Sequence, residues 1–251
     1  ASCSHYLIIN LMKNIVRSII CLFVLGISLQ ALAFAPESQT KKIRVGNFQS
    51  LEIGHDFDVQ IIKGNVCSIT ASGRADDLEK LDVQVEGNIL KFDIDASWSW
   101  MGYNKNHKKI KLLITLPRIK SAEFSGASHV NLRGFNDEEQ MNITVSGASH
   151  FDGESVQADK LVLELSGASH AKISGRIAKL DVELSGASHL NADALLARDA
   201  DIEASGASHA QVNIQKSLQV EASGASKIEY KGNPMNLSKD VSGASTVRRA
   251  D

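Results

Sequence analysis

The pentapeptide Ser-Gly-Ala-Ser-His occurs five times in the chain at an almost constant spacing. The five copies and two variants, Ser-Gly-Ala-Ser-Lys and Ser-Gly-Ala-Ser-Thr, end at His129, His150, His170, His189, His209, Lys227 and Thr246. Successive spacings are 21, 20, 19, 20, 18 and 19 residues. A repeat of this period is typical of solenoids, in which each repeat forms one coil and stacks on the next.

Apolar and polar residues alternate with a period of two around each pentapeptide. Counted back from its last residue, offsets −5, −7 and −9 are apolar in five coils, as in Val145, Ile143 and Met141. The residue after each pentapeptide is apolar in all seven coils. A period of two is typical of a β-strand, whose alternate side chains point to opposite faces. The sequence therefore predicts an all-β chain folded as a parallel β-helix, with coils about 4.8 Å apart.

The glycine of each pentapeptide suits a sharp bend between two strands. We expect a strand before the bend, a shorter strand after it and an irregular third side where coil length varies. That third side would contain residues 153–159, 174–179, 193–199 and 213–217.

Residues 43–120 carry strand signals without the pentapeptide. Phe57, Val59 and Ile61 alternate with polar residues, and Glu86-Gly87-Asn88 has the composition of a hairpin turn. We interpret 43–120 as an N-terminal β region or cap continuous with the β-helix of 121–251. Residues 34–42 are predicted to be a polar lead-in, and Cys67 a buried strand thiol.

The first 33 residues have the pattern of a signal peptide. Lys13 and Arg17 precede an apolar run over 19–29, and Ala31-Leu32-Ala33 fits a cleavage site. Met12 offers a second start, in which case residues 1–11 are an upstream extension of the reading frame. We expect export to the periplasm or outer surface of a bacterium, with no integral membrane segment after cleavage. A retained N-terminal anchor is the alternative.

Charge and cysteine content limit the partners of the mature chain. Removing Lys13 and Arg17 leaves 25 basic residues against 29 acidic ones, which argues against a nucleic-acid partner. Cys67 is the only cysteine after residue 33, so neither an internal disulfide nor a cysteine zinc site is expected. We predict no cofactor.

Stacked coils turn repeat positions into columns, and two of these columns carry chemistry. The histidines at offset 0 and the carboxylates at offset −6 are predicted to face outward; the carboxylates include Glu164, Glu183, Glu203 and Glu221. The histidine column is interpreted as an exposed polar ladder, with a metal site or a pH-sensitive surface as alternatives. A third ring would begin about 9.6 Å from the first, too far for a compact zinc site. The carboxylates are interpreted as solvated acids, with calcium binding as the alternative.

Two further features bear on function. Trp98, Trp100 and Tyr103 lie in a polar segment that either stacks on a glycan or caps the end of the β-helix. Serine, histidine and acidic residues recur in every coil alike, whereas an active site needs one distinguished cluster of perturbed groups. We therefore assign no catalytic residue.

The chain resembles a bacterial envelope family of unknown function described as putative auto-transporter adhesin, head GIN domain. The resemblance rests on residues 48–53 and 57–61, on Leu112-Leu113-Ile114-Thr115-Leu116-Pro117 and on the serial Ser-Gly-Ala-Ser turns, and covers about residues 43–247. It implies a right-handed parallel β-helix with an N-terminal β region, and it supplies no catalytic residues.

These features together predict an exported, non-catalytic cell-envelope protein. It would act as an adhesin-like binding or scaffold module that presents a β-helix ladder to a glycan or another cell-surface component. The alternative is a polysaccharide-active β-helix enzyme or a carbohydrate-binding protein. The oligomeric state stays open.

Overall fold

The computed structural model describes residues 38–94 and 109–250. The predicted signal peptide lies outside these residues, as does the aromatic segment with Trp98, Trp100 and Tyr103. Strands account for most of the described chain, in agreement with the all-β prediction.

The N-terminal half of the fold contains short strands and one helical turn. Its elements are β1 (Ser38–Ile43), β2 (Ser50–Ile53), β3 (Phe57–Lys63), β4 (Ser68–Arg74), α1 (Ala75–Glu79), β5 (Leu81–Glu86), β6 (Ile89–Ile94) and β7 (Ile110–Leu116). The part that carries the repeat contains β8 (Ser121–Phe124), β9 (His129–Arg133), β10 (Glu138–Val145), β11 (His150–Leu165), β12 (His170–Leu184), β13 (His189–Ala204), β14 (His209–Ala222), β15 (Lys227–Lys231), β16 (Asn236–Val241) and β17 (Thr246–Arg249).

The strands of the repeat stack in parallel as a β-helix of about six turns, which confirms the predicted fold class. Corresponding repeat positions pair directly, as His150 does with His170 and Leu161 with Leu180. Two walls meet at the Ser-Gly-Ala-Ser turns. We call the strand segments before the turns the pre-turn wall and those after them the post-turn wall. The odd offsets point inward on both walls and form one continuous core.

The third side is more regular than the sequence suggested. The expectation of an irregular segment is wrong, because β11, β12 and β13 each run from one turn to the next as a single strand. Ala158 pairs with Ile177, and Ile177 pairs with Ala197. Differences in coil length are absorbed by register shifts, such as those at Gly153/Val156 and Ala192/Leu196. A bulge accommodates an extra residue at one point while pairing resumes on either side.

Each pentapeptide glycine has a left-handed backbone and touches the coil before it. Gly167 has φ +72°, and an added Cβ would lie 2.7 Å from the carbonyl oxygen of Gly147. That oxygen accepts a hydrogen bond of 2.8 Å from the Ala168 amide. The turn therefore needs glycine both for its backbone conformation and for the space between coils.

The two serines of the pentapeptide have different environments. The first serine bonds across coils in places, since Ser146 Oγ donates to Phe124 O and Ser205 Oγ to Leu184 O at 3.4 and 3.3 Å. The second serine is buried, and within the described residues no hydrogen-bond partner lies near the hydroxyls of Ser149, Ser169, Ser188 and Ser208. Ser128, at the start of this column, donates to His55 O at 3.2 Å. Hydroxyl hydrogen bonding between coils thus comes from selected positions only.

The N-terminal strands do not follow the simple winding of the repeat. Strands β2 and β3 lie between β6 and β7 on one side and β8 and β9 on the other, all in parallel. In chain order, β2 and β3 make an inner coil, and β6 and β7 then make an outer coil beside it. Strands β8 and β9 return to the other side of the inner coil, where the repeat begins. This insertion was not predicted, because the pairing joins segments with no shared repeat motif.

Antiparallel strands cover the N-terminal end of the β-helix. Strand β5 pairs with β6 through the hairpin predicted at Gly87, β4 pairs with β7, and β1 pairs with β4. The predicted polar lead-in is thus partly a strand, since residues 38–42 lie in β1. Covering the outer coil in this way satisfies strand edges that would otherwise be open.

Cys67 departs from its predicted environment. The residue lies one position before β4 and is half-buried, with Sγ 3.7 Å from the carbonyl oxygen of Phe48. The prediction of a buried strand thiol is therefore wrong. The neighbouring Val66 is exposed, so the alternation that suggested a strand begins only at Ser68.

Candidate functional site on the post-turn wall

Five imidazole rings form one column on the outer face of the post-turn wall. Strand pairing places His129, His150, His170, His189 and His209 in consecutive coils at the same position. Successive ring centroids are 6.0, 4.8, 4.9 and 6.0 Å apart, and the first three ring pairs are stacked. We call this set the histidine column. Its placement follows from the repeat because one coil adds one ring.

Four of the five imidazole side chains are exposed to solvent, and that of His209 is half-buried. The side chain of His129 is 53% exposed, whereas that of His209 is 25% exposed. The column thus presents exposed imidazole groups about one strand spacing apart, and their ring faces stack on one another.

A second column of hydrogen-bonding side chains runs beside the imidazoles. Two residues after the end of each pentapeptide, strand pairing aligns the residues that we call the polar column: Asn131, Asp152, Lys172, Asn191, Gln211, Glu229 and Arg248. The two columns border a groove along the β-helix axis, lined by residues of four consecutive coils. Sequence reasoning missed the polar column because its residue types differ from coil to coil.

Glu229 lies beside the last ring of the histidine column, at the centre of an ion-pair network. Its carboxylate accepts hydrogen bonds from Arg248 Nε at 2.8 Å and Gln211 Nε2 at 3.2 Å, and pairs with Lys227 Nζ at 2.9 Å. The hydrogen bond from Lys227, followed by those from Arg248 and Gln211, lowers the pKa of Glu229 to about 2. Glu229 therefore carries its charge throughout the neutral and mildly acidic range.

His209 borders this network and differs from the other imidazoles. Its Nε2 lies 3.6 Å from Glu229 Oε2. Burial lowers the pKa of His209, the nearby Lys227 lowers it further, and Glu229 opposes these effects. This ring therefore takes up a proton less readily than an ordinary histidine.

The predicted acidic column lies on the pre-turn wall, around the turn from the imidazoles. Strand pairing aligns Glu123, Thr144, Glu164, Glu183, Glu203, Glu221 and Asp240, and all the carboxylate side chains are exposed. The two outer faces that flank the turn therefore differ in character: one is acidic, and the other is rich in imidazole and amide groups.

Within 38–94 and 109–250, no group of three or more His, Cys, Asp or Glu side chains is arranged to hold a metal ion. No helix in this part of the chain is long and apolar enough to cross a membrane.

A contact that the sequence did not reveal lies at the N-terminal end of the turns. His55 occupies the position equivalent to the turn glycine, with φ +65°, and its Nε2 lies 2.8 Å from Asp93 Oδ1. The hydrogen bond from His55 lowers the pKa of Asp93. The pair joins two neighbouring coils, and we assign it a structural role.

The described residues form a β-helical repeat protein whose outer faces carry columns of corresponding repeat positions. A family model described as "Putative auto-transporter adhesin, head GIN domain" matches residues 47–234. The chain belongs to this family.

Solved structures share the fold at low sequence identity. A putative adhesin from Bacteroides fragilis NCTC 9343 matches with a TM-score of 0.80 and 21% identity. A putative adhesin and a putative lipid binding protein, both from Parabacteroides distasonis ATCC 8503, match with TM-scores of 0.70 and 0.65 and identities of 15% and 16%. Each match covers 86% of this chain and 98% of the other. No curated protein matches the chain.

Proposed function

We propose that the chain is an exported, non-catalytic binding module of the bacterial cell envelope, and that the post-turn wall binds a glycan. The observation that carries this proposal is the pairing of the histidine column with the polar column along one groove. Both columns offer hydrogen-bonding groups at regular intervals, as a linear chain of sugar units requires. Family membership supports an adhesin-like role, and the pattern of residues 13–33 supports export.

Binding accounts for this surface better than turnover does. A hydrolytic site would need one cluster that differs from the rest of the surface and contains groups with perturbed pKa values. Within 38–94 and 109–250, the strongest perturbation is at Glu229, where Lys227 and Arg248 hold the carboxylate in its charged form. The positive charges of Lys227 and Arg248 balance that of the ionised carboxylate, which fits a structural ion pair rather than a general acid.

A glycan array probed with the protein purified from full-chain expression tests the proposal. Replacing His150, His170 and His189 together by alanine should weaken binding by about tenfold or more, because three central contacts are lost. The matched control replaces the exposed Glu164, Glu183 and Glu203 by alanine in the same three coils of the other wall. Thermal unfolding of both triple variants checks that the coils remain intact.

Three outcomes would contradict the proposal. If the protein binds no glycan on the array, the proposed ligand class is wrong. Loss of binding only in the glutamate triple variant would move the site to the pre-turn wall. Release of new reducing ends from a bound polysaccharide would show catalysis.

A further inference from the structure

The charge of the post-turn wall depends on the protonation of its imidazoles. Histidine has an ordinary pKa of about 6.5, so small changes in mildly acidic conditions alter its charge. Five imidazole rings stand in one uninterrupted row, and the two central spacings are 4.8 and 4.9 Å. No other column on this wall repeats a titratable residue type from coil to coil. Protonation therefore adds several positive charges along a single line.

The fixed charges around the histidine column nearly cancel one another. The cations on or beside this face are Lys109, Lys111, Arg133, Lys172, Lys227, Lys231 and Arg248. The anions are Asp56, Asp58, Asp152, Glu154, Asp193 and Glu229. The side of the histidine column toward the turn presents the small residues of the pentapeptide. The sign of the wall at acidic pH is thus set by the imidazoles.

The spacing and chemistry of the two columns fit a linear polymer of acidic sugars. Coils repeat at about the strand spacing of 4.8 Å, and a pyranose unit in an extended chain advances by a similar distance. Protonated imidazoles suit carboxylates, since both of their nitrogens become donors. The amides of Asn191 and Gln211 in the polar column can bond sugar hydroxyls.

We propose that the glycan bound by the post-turn wall is a linear polysaccharide bearing carboxylates, and that it binds more tightly as the histidine column takes up protons. This inference rests on the proposed function and specifies its ligand. The ligand lies along the β-helix axis, with carboxylates beside the imidazoles and hydroxyls beside the polar column.

Linkage between protons and ligand follows from the close spacing of the rings. In the free protein, protonating one ring disfavours the next, because like charges then stand about one strand spacing apart. A bound carboxylate beside the rings relieves this repulsion, so the complex holds more protons than the free protein. Affinity must then rise as the pH falls through the histidine range.

A carboxylated glycan suits the surface better than a nucleic acid does. The whole chain has a formal net charge of −2, and the acidic column lies on the adjoining wall. A dense phosphate polymer needs a continuous basic surface, whereas here carboxylates such as Asp152 interrupt the row of cations. Sparse carboxylates, with neutral hydroxyls between them, avoid most of that repulsion.

The test uses polygalacturonate as the charged ligand and fully methyl-esterified polygalacturonate as the uncharged control. The carboxylates of the first polymer stay ionised at about pH 5.5, because a carboxyl group has a pKa near 4. Affinity for polygalacturonate should rise by about tenfold or more between about pH 7.5 and 5.5, because at least one proton is taken up on binding. The esterified polymer should bind weakly at both pH values. Calorimetry in buffers of different ionisation enthalpy should detect net proton uptake.

Replacing His150, His170 and His189 by lysine separates charge from ring chemistry. This variant should bind polygalacturonate at about pH 7.5 as tightly as the wild type does at about pH 5.5, with little remaining pH dependence. The control with Glu164, Glu183 and Glu203 changed to glutamine should keep the wild-type slope. Thermal unfolding at both pH values verifies the fold.

The failure of this inference is distinguishable from failure of the proposed function. Equal affinity at both pH values, equally tight binding of the esterified polymer, or tighter binding of single-stranded DNA than of polygalacturonate would each overturn the inference. If the alanine triple variant of the histidines still loses binding to a neutral glycan, the proposed function stands without the inference. If no glycan binds at either pH, both are wrong.

Discussion

At the scale of single residues, the turn glycines control how closely coils can stack. In six of the pentapeptides, from Gly147 to Gly243, an added Cβ would lie 2.5–2.7 Å from the carbonyl oxygen of the preceding turn glycine. The equivalent position in the inner N-terminal coil is His55, which keeps the positive φ. A side chain is tolerated there, and its imidazole bonds Asp93 in the neighbouring coil.

We predict that Gly167→Val destabilises the protein by about 2–4 kcal/mol, because a β-branched residue is strained at positive φ and its Cβ would strike Gly147 O. The matched control is Gly46→Val, since no atom lies within 4 Å of a Cβ added at Gly46. Urea unfolding monitored by circular dichroism measures both changes. Equal unfolding midpoints for the two variants would contradict the close-packed turn.

At the scale of elements, Glu229 connects three strands near one end of the histidine column. The residue lies on β15 and contacts Gln211 on β14 and Arg248 on β17. Its side chain is only 11% exposed. Loss of its charge would leave Lys227 and Arg248 without the carboxylate that they share. The cluster adds side-chain contacts between coils that are also held by backbone pairing and core contacts.

We predict two pH windows in the stability of the protein. The pKa of Glu229 is about 2 in the fold against an ordinary 4.5, so its contribution is complete above about pH 4.5 and is lost as the pH falls toward 2. The pKa of His209 is also lowered, so the folded state binds this proton less tightly than the unfolded state does. Stability therefore falls as the pH drops below about 6.5, the ordinary histidine pKa. Urea midpoints measured across this pH range test both signs.

Two variants assign the windows to their residues. Glu229→Gln should lower stability at neutral pH and flatten the acidic window. His209→Asn should flatten the window below about pH 6.5 and leave the acidic one unchanged. Glu203→Gln, which changes an exposed carboxylate of the pre-turn wall, is the control. A pH profile of His209→Asn identical to that of the wild type would refute the assignment of the upper window.

At the scale of the whole molecule, stability is distributed along a stack of coils. Coils in the middle are paired on both sides and share the continuous core. The N-terminal end is covered by antiparallel strands, whereas every residue of β16 is exposed, including Leu237 and Val241 at inward repeat positions. In such an array, each coil depends mainly on its neighbours.

We predict a gradient of amide hydrogen exchange along the β-helix. Amides of β11, β12 and β13 should exchange slowest, and those of β16 and β17 fastest, because the latter gain less from neighbouring coils and core contacts. The paired amides of β4, near the covered end, serve as the internal comparison and should exchange more slowly than those of β16. Uniform protection from β4 to β17 would show that the stack unfolds as one unit.

The sequence by itself determined the coil, its period and the side of the strand on which each residue lies. The period of two around Val145 and Leu165 requires strands, and the recurring glycine requires one bend per coil. The outward columns follow from those two facts, because a fixed period and a fixed parity leave no other position for His150 or Glu164.

Only the tertiary structure decided the spatial order of the N-terminal strands and the placement of the polar column beside the histidine column. Strand β3 pairs with β9 although Phe57 and Ser128, which are in hydrogen-bond contact, are 71 residues apart. The polar column also appears only when coils of different sequence are aligned. Local periodicity records which face of a strand is buried, but the choice of neighbouring strand depends on packing between distant segments. That packing leaves no repeated signal along the chain.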